Sequence, residues 1–174
     1  MRPALNRARD ILRDKVTNEF SDNVIGAEIG VLRGENAREI LREWSQVSHL
    51  YLMEIKPMDS KSSMIAVENL REWQKRTAWI IGDSSVTGLN FNNNYFDFVY
   101  IDGGHTHDPV SADIKTYWGK VKSGGVLCGH DYNVEWEDPR EGVVKAVDEF
   151  VARYNLYLWT KTDGSSSDWV VVKP

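Results

Sequence analysis

Cysteine is almost missing from this chain: Cys128 is the only one in 174 residues. An intrachain disulfide is therefore excluded, and the composition suits a reducing compartment such as the cytoplasm. The thiol sits inside the apolar run "GGVLCG", which assigns it a buried structural role. No apolar stretch reaches the ~18 residues of a membrane-spanning helix. Basic residues do not predominate either, with 21 Lys+Arg against 26 Asp+Glu and a net charge of −5. That balance excludes a broad attraction to nucleic acid or to an anionic membrane. There is no G-x-S-x-G nucleophile elbow, which weakens a hydrolase reading. Repeats, long linkers and low-complexity tracts are lacking as well, and "NFNNNYF" and "TDGSSSDW" read as turns.

What the chain does contain is a regular alternation of strand-like and helix-like segments. "NVIGAEI", "HLYLMEI", "AWIIG", "FDFVYID" and "GGVLCGHDY" are five apolar runs of strand length. Between them lie helical patterns over Glu35–Trp44, about Ser60–Lys75 with Ile65, Leu70 and Trp73 inward, and about Pro109–Val121. Asp108 is placed to cap that last helix, with Pro109 at its first position. "REGVVKAVDEFVARY" follows as a helix with Val144, Val147 and Val151 inside, and "LYLWTK" and "DWVVVKP" close the chain as two strands. Such alternation predicts an α/β domain spanning residues 1–174, a doubly wound, mostly parallel sheet covered by helices on both faces. With no helix between them, the last two strands must pair as an antiparallel hairpin. The first twenty residues are Arg-rich but have no apolar signal core, and they carry Asp10 and Asp14. Leu5, Ala8, Leu12 and Val16 recur at helical spacing, which predicts an amphipathic helix docked on the domain.

A doubly wound sheet binds ligands beyond the carboxyl ends of its strands, so the residues ending each strand carry the information. The first strand runs into "VIGAEIGVLRGENA", whose glycines at 26, 30 and 34 are spaced by four. A dinucleotide fingerprint needs G-x-G-x-x-G, so the register is wrong. The chemistry is wrong too, because Glu28 would face an anionic pyrophosphate; its carboxylate suits a cationic ligand. The pattern E-x-G-x-x-x-G resembles the first motif of class I methyltransferases, which use S-adenosylmethionine. The resemblance implies that Gly30 and Gly34 let the backbone approach the cofactor's methionyl portion and that Glu28 faces its ammonium group. Leu32 stands where that family commonly has a further glycine.

Glu54 ends the second strand, one strand–helix–strand unit later, where an acid accepts hydrogen bonds from both ribose hydroxyls. This feature alone does not separate S-adenosylmethionine from NAD. The third strand ends in "IIGDSS". The methyltransferase resemblance puts Asp83 and Ser84 beside the adenine, while the same residue types also serve as helix or turn caps.

The fourth and fifth strands end in "YIDGGHTHD" and "LCGHDY". Asp102 and Asp131 both follow strong apolar runs and should face the crevice. Carboxylates on adjacent strands ~4.8 Å apart repel unless a proton or cation lies between them. The segment "FDFVYIDGGHTHDPVSADIKTYWGKVKSGGVLCGHDY" is similar to a bacterial methyltransferase family with an I-D-G-x-H motif. That family is related to the metal-dependent catechol-type and macrolide-sugar O-methyltransferases. The resemblance covers the chain from about Val24 to Pro174 and implies a seven-stranded sheet of order 3-2-1-4-5-7-6. It also implies cofactor contact at Asp102 and a divalent metal held by Asp102, His130 and Asp131. His130 falls where relatives carry an acid, which shifts preference from magnesium towards manganese or another transition metal.

Alternatives stay open at this centre. A metal could be held by Asp102 and Asp131 with one or more of the histidines, His105 and His107 included; His105 or His130 could act without metal as the general base, with Asp131 completing the catalytic set; or the histidines could be structural. His107 reads as a bystander, and Lys115, Lys120 and Lys145 as solvated. Tyr132, Trp136 and Trp118 could wall the acceptor, though core packing suits Trp118 better, and "NVEWEDPREG" reads as a loop over the site. The resemblance implies methyl transfer to a small hydroxylated acceptor such as a sugar or glycan, with no nucleic-acid or membrane partner. With no inserted domain, acceptor contacts would come from the N-terminal helix, from the loops at residues 57–62 and 132–141, or from a second subunit in a homo-oligomer. An NAD-dependent oxidoreductase and a non-catalytic binding module remain as rival readings.

Overall fold

The computed structural model describes residues 7–20, 22–132, 141–160 and 168–174. Strands β1 (Val24–Ile29), β2 (Val47–Glu54), β3 (Thr77–Ile81), β4 (Phe96–Ile101), β5 (Val121–Gly129), β6 (Trp159–Thr160) and β7 (Trp169–Val172) form one sheet of order β3-β2-β1-β4-β5-β7-β6. β1 to β5 pair in parallel, whereas β7 runs antiparallel between β5 and β6. The expected order and closing hairpin are both present. The order reverses direction at β1, so β1 and β4 are neighbours whose following loops leave in opposite directions. That divergence opens the crevice in which such sheets bind ligands.

Side chains on the central strands alternate between two buried layers, as parallel strands covered on both faces must. On one side Phe98, Tyr100, Val126, Cys128 and Val170 pack under α1 (Arg7–Asp14), α2 (Glu35–Glu43) and α3 (Lys61–Asn69). On the other, Val99, Ile101, Leu127 and Val171 pack under α5 (His107–Trp118) and α6 (Glu141–Tyr154). Cys128 is fully buried and donates to the Val99 carbonyl, the structural role expected of it. The N-terminal helix continues through a wider π-type turn over Lys15–Glu19, and Leu12 and Val16 are buried in the first layer. Leu5 lies outside the described residues.

Three helical expectations are shifted. The stretch expected as one helix from about Ser60 to Lys75 is α3, begun by the Ser60 hydroxyl accepting from Ser63 N–H, followed by a 3-10 turn at Arg71–Trp73. Ser63, Ala66 and Leu70 are its buried positions, and Ile65 is only partly covered. α5 starts two residues before Pro109, with Thr106 at the cap position, so Asp108 lies inside the first turn. α6 buries Val143, Ala146, Val147 and Phe150. Val144 and Val151 flank this stripe, because an i, i+3, i+4, i+7 face starting one residue earlier buries the larger Phe150.

Candidate functional site

The residues following the parallel strands are tied to their neighbours by backbone hydrogen bonds. Gly30 N–H donates to the Met53 carbonyl, Gly82 to Glu54, Asp102 to Ile29 and His130 to Ile101. The sheet ladder thus continues one residue beyond the strands and fixes the rim from which the polar side chains project. Over this rim lies a cavity of about 950 Å³. It is lined by Glu28, Gly30, Glu54, Asp83, Ser84, Asp102, His105, His130 and Asp131, so all but one of the site residues expected from sequence converge here.

The exception is Gly34. It caps α2 in the left-handed conformation with φ 73°, and a Cβ there would meet Leu70 Cδ1 at 3.1 Å and Ala66 Cβ at 3.3 Å. It serves the packing of α2 against α3 and does not line the cavity. Gly30, at φ 84°, is required for a different reason than cofactor approach alone: its Cβ would lie 2.2 Å from the Asp102 carbonyl oxygen. The glycine lets the β1 and β4 ends close on each other.

Glu28 is only 1% exposed, and its Oε1 accepts from Asn36 Nδ2 at 3.3 Å. Glu54 is held by two backbone donors, Leu32 N–H to Oε2 at 2.9 Å and Lys56 N–H to Oε1 at 3.0 Å. Leu32, with φ 50°, turns its amide onto this carboxylate while its side chain stays exposed. The first turn and the β2 end are locked together in this way, and each Glu54 oxygen keeps acceptor capacity for a ligand.

Asp83 caps the short helix α4 (Ser84–Thr87), with Oδ1 accepting from both Ser85 N–H and Ser85 Oγ. Those two bonds lower its pKa. Ser84 Oγ donates to Asp113 Oδ1 at 2.6 Å, and Tyr117 Oη donates to the Ser84 carbonyl at 2.9 Å. Asp113 was not anticipated from sequence, yet it is buried and lines the cavity. Its signal was readable. Val110, Asp113, Ile114 and Tyr117 are the buried stripe of α5, and a carboxylate at such a position needs a reason. Burial pushes its pKa up to about 6; the Ser84 bond opposes this and the nearby Asp83 charge adds to it.

Beyond β5, Asp131 sits between two imidazoles. His105 Nε2 is 3.2 Å from Oδ2 and His130 Nδ1 is 3.3 Å from Oδ1. His130 Nδ1 is also 3.8 Å from Asp102 Oδ1. The bond to Asp131 raises the His130 pKa; burial opposes the rise and Asp102 supports it. Asp131 adopts φ 60°, a left-handed conformation uncommon for a non-glycine residue. Among the described residues, ligand atoms of Asp102, His105 and Asp131 all lie within 4.8 Å of one another. His130 Nδ1 also stands within 3.8 Å of both carboxylates, so two imidazoles border the same pair of acids.

The neighbouring candidates play other parts. His107, at the start of α5, bonds Asp108 and Glu149 at 2.9 Å each and bridges α5 to α6 outside the cavity. Tyr132 does not wall the cavity: its hydroxyl donates to Asp148 Oδ1 on α6 at 2.7 Å. Trp118 packs edge-on against Phe150, with ring centroids 4.9 Å apart. Lys115 and Lys145 are exposed, and Lys120 donates to Asn93. Trp136 and the loop around it lie outside the described residues.

Eight carboxylate residues line this cavity against one lysine, Lys56. Such a lining disfavours a dinucleotide pyrophosphate and suits a cationic ligand. Residues 27–132, more than half the chain and the stretch that builds the cavity floor, match the family described as methyltransferase domain.

The chain belongs to this methyltransferase family.

It is an S-adenosylmethionine-dependent methyltransferase of class I, and the match displaces the NAD-dependent reading. The methyltransferase shares its fold with several solved structures. Cofactor-bound Rv0187 from MTB superposes with a TM-score of 0.75 at 18% identity, covering 99% of this chain and 83% of that one. The O-methyltransferase from Bacillus cereus, in complex with SAH, gives 0.69 at 19% identity over 99% and 93%. The O-methyltransferase TomG from Streptomyces achromogenes, in complex with SAM, gives 0.66 at 16% over 86% and 73%. No curated protein matches this methyltransferase significantly. Among its described residues no helix is long and apolar enough to cross a membrane.

Proposed function

We propose that this methyltransferase moves the sulfonium methyl group of S-adenosylmethionine to a hydroxyl oxygen of a small acceptor such as a sugar or glycan, in the cytoplasm. The observation carrying this reading is the acid-lined cavity, whose wall includes buried Glu28 and the Asp102–His105–Asp131 cluster. Glu28 faces the donor's ammonium group and Glu54 accepts from the ribose hydroxyls. Acceptor oxygen and methyl carbon are held in line, so the C–O bond forms as the C–S bond breaks and the electron pair returns to sulfur. The proton leaving the hydroxyl passes to the imidazole–carboxylate cluster, where His105 Nε2 and His130 Nδ1 both stand beside Asp131.

The same cluster fits a divalent cation. Two carboxylates and an imidazole within one ligand sphere resolve the crowding of Asp102 against Asp131, and this mixed donor set suits manganese or another transition metal better than magnesium. Held by Asp102, His105 and Asp131, such a cation would lower the pKa of a bound acceptor hydroxyl.

The test is transfer of labelled methyl from S-adenosylmethionine to a panel of catechols and sugars, with and without manganese. Turnover that is lost in Asp131→Asn while S-adenosylhomocysteine still binds supports the reading. Cofactor binding with no transfer to any hydroxylated acceptor would favour a non-catalytic binding module on this scaffold.

A further inference from the structure

Asp113 is a carboxylate that no step of the proposed transfer uses. It is 4% exposed, projects from the apolar stripe of α5 and lines the donor cavity. Ser84 Oγ fixes its Oδ1 at 2.6 Å, its one hydrogen bond among the described residues. Tyr117, one turn further along α5, holds the Ser84 carbonyl at 2.9 Å, so α5 grips the start of α4 through two side chains. A buried carboxylate costs stability unless its acceptor sites are filled. Asp83, the expected partner of the adenine amino group, is placed differently. It is exposed, and its Oδ1 is taken by the two Ser85 donors.

We propose that Asp113 is the specificity-determining residue for the purine of the methyl donor, its carboxylate accepting a hydrogen bond from the 6-amino group. The proposal rests on the S-adenosylmethionine reading of the cavity. Its chemistry is selective because a carboxylate only accepts. A 6-amino purine offers N–H there, whereas a 6-oxo purine offers an oxygen that would face the carboxylate lone pairs. Ser84 orients the group by occupying Oδ1, which leaves Oδ2 for the ligand. Glu54 and Asp113 would then divide the nucleoside between them, one reading the ribose and the other the base.

The experiment is calorimetric titration of the full chain with S-adenosylhomocysteine and with its 6-oxo analogue, S-inosylhomocysteine. Wild type should prefer the amino ligand by about 30-fold or more. In Asp113→Asn the amide can turn its NH2 towards the 6-oxo group, so the preference should narrow by about tenfold or more. Asp83→Asn should leave it unchanged. Narrowing in Asp83→Asn but not in Asp113→Asn overturns the proposal, and so does an unchanged preference in both. Failure of wild type to bind either ligand removes the donor reading itself, and this one falls with it. Should Asp113→Asn not fold, Ser84→Ala serves instead: it frees Oδ1 and should weaken the amino ligand several-fold more than the 6-oxo one, whereas equal weakening of both overturns the proposal.

Discussion

His105 Nε2 lies 3.2 Å from Asp131 Oδ2, across the gap between the loop after β4 and the end of β5. Asp131 holds that position in a left-handed backbone conformation, and its other oxygen faces His130. Two histidines on one carboxylate, with Asp102 close by, form a group that either shares protons or takes a cation.

Divalent cation binding separates those two states. Calorimetric titration with manganese should show one site in the wild type. Asp131→Asn and His105→Ala should each weaken it by more than the roughly 10–100-fold typical of losing a supporting partner of a ligand. Binding of S-adenosylhomocysteine should persist in both variants. Should wild type take up no manganese, metal assistance is wrong and the imidazoles are left as proton acceptors.

Glu28→Gln tests the donor end. The change is nearly isosteric and keeps an oxygen for Asn36, so the fold should survive. A charged hydrogen-bond partner contributes about 1.5–3 kcal/mol, which predicts S-adenosylhomocysteine binding weaker by roughly 10–100-fold. Removing a buried carboxylate should leave the melting temperature of the free protein equal or higher. Unchanged affinity in this variant would show that the ammonium group is recognised elsewhere.

Legibility from sequence followed the strength of the local signal. The sheet and its order were accessible because apolar runs and turn chemistry are local, and residues ending parallel strands must share one rim. That rule puts Glu54, Asp102 and Asp131 on one rim, and all three line the cavity. Spacing puts Gly34 in the cofactor motif but does not say that α3 packs against it. Asp113 is hidden from apolar periodicity, which marks the buried stripe of α5 but not the polar residue within it. The sequence does not say that His105 and His130 flank the same carboxylate, because that depends on how the ends of β4 and β5 meet in space.

Two glycines separate backbone strain from close packing. Gly124 has φ 76° and nothing within 4 Å of a Cβ placed on it, so Gly124→Ala should cost only the left-handed penalty of about 1–2 kcal/mol. Gly30 has φ 84° and would place its Cβ 2.2 Å from the Asp102 carbonyl oxygen. Gly30→Ala adds an overpacking cost of about 1–3 kcal/mol to the same penalty. Urea unfolding should therefore rank Gly30→Ala below Gly124→Ala. Equal losses would mean that the β1 and β4 ends can part without cost.

Asp113 also predicts a pH dependence of stability in the free protein. Its pKa is pushed from an ordinary 3.8 to about 6, by burial first and by Asp83 in addition, against the opposing Ser84 bond. The folded state therefore binds this proton more tightly than the unfolded state does. The stabilisation is fully present below the unfolded value and is lost as pH rises through about 6. Asp113→Asn cannot titrate, so wild type should lose on the order of 2–3 kcal/mol relative to that variant between pH 4 and 7. Denaturant unfolding of both proteins across this range measures the difference directly. Parallel stability curves would show that water or relaxation already solvates the carboxylate. Saturating S-adenosylhomocysteine should shrink the difference at neutral pH, because an N–H donor placed on the carboxylate stabilises its charged form.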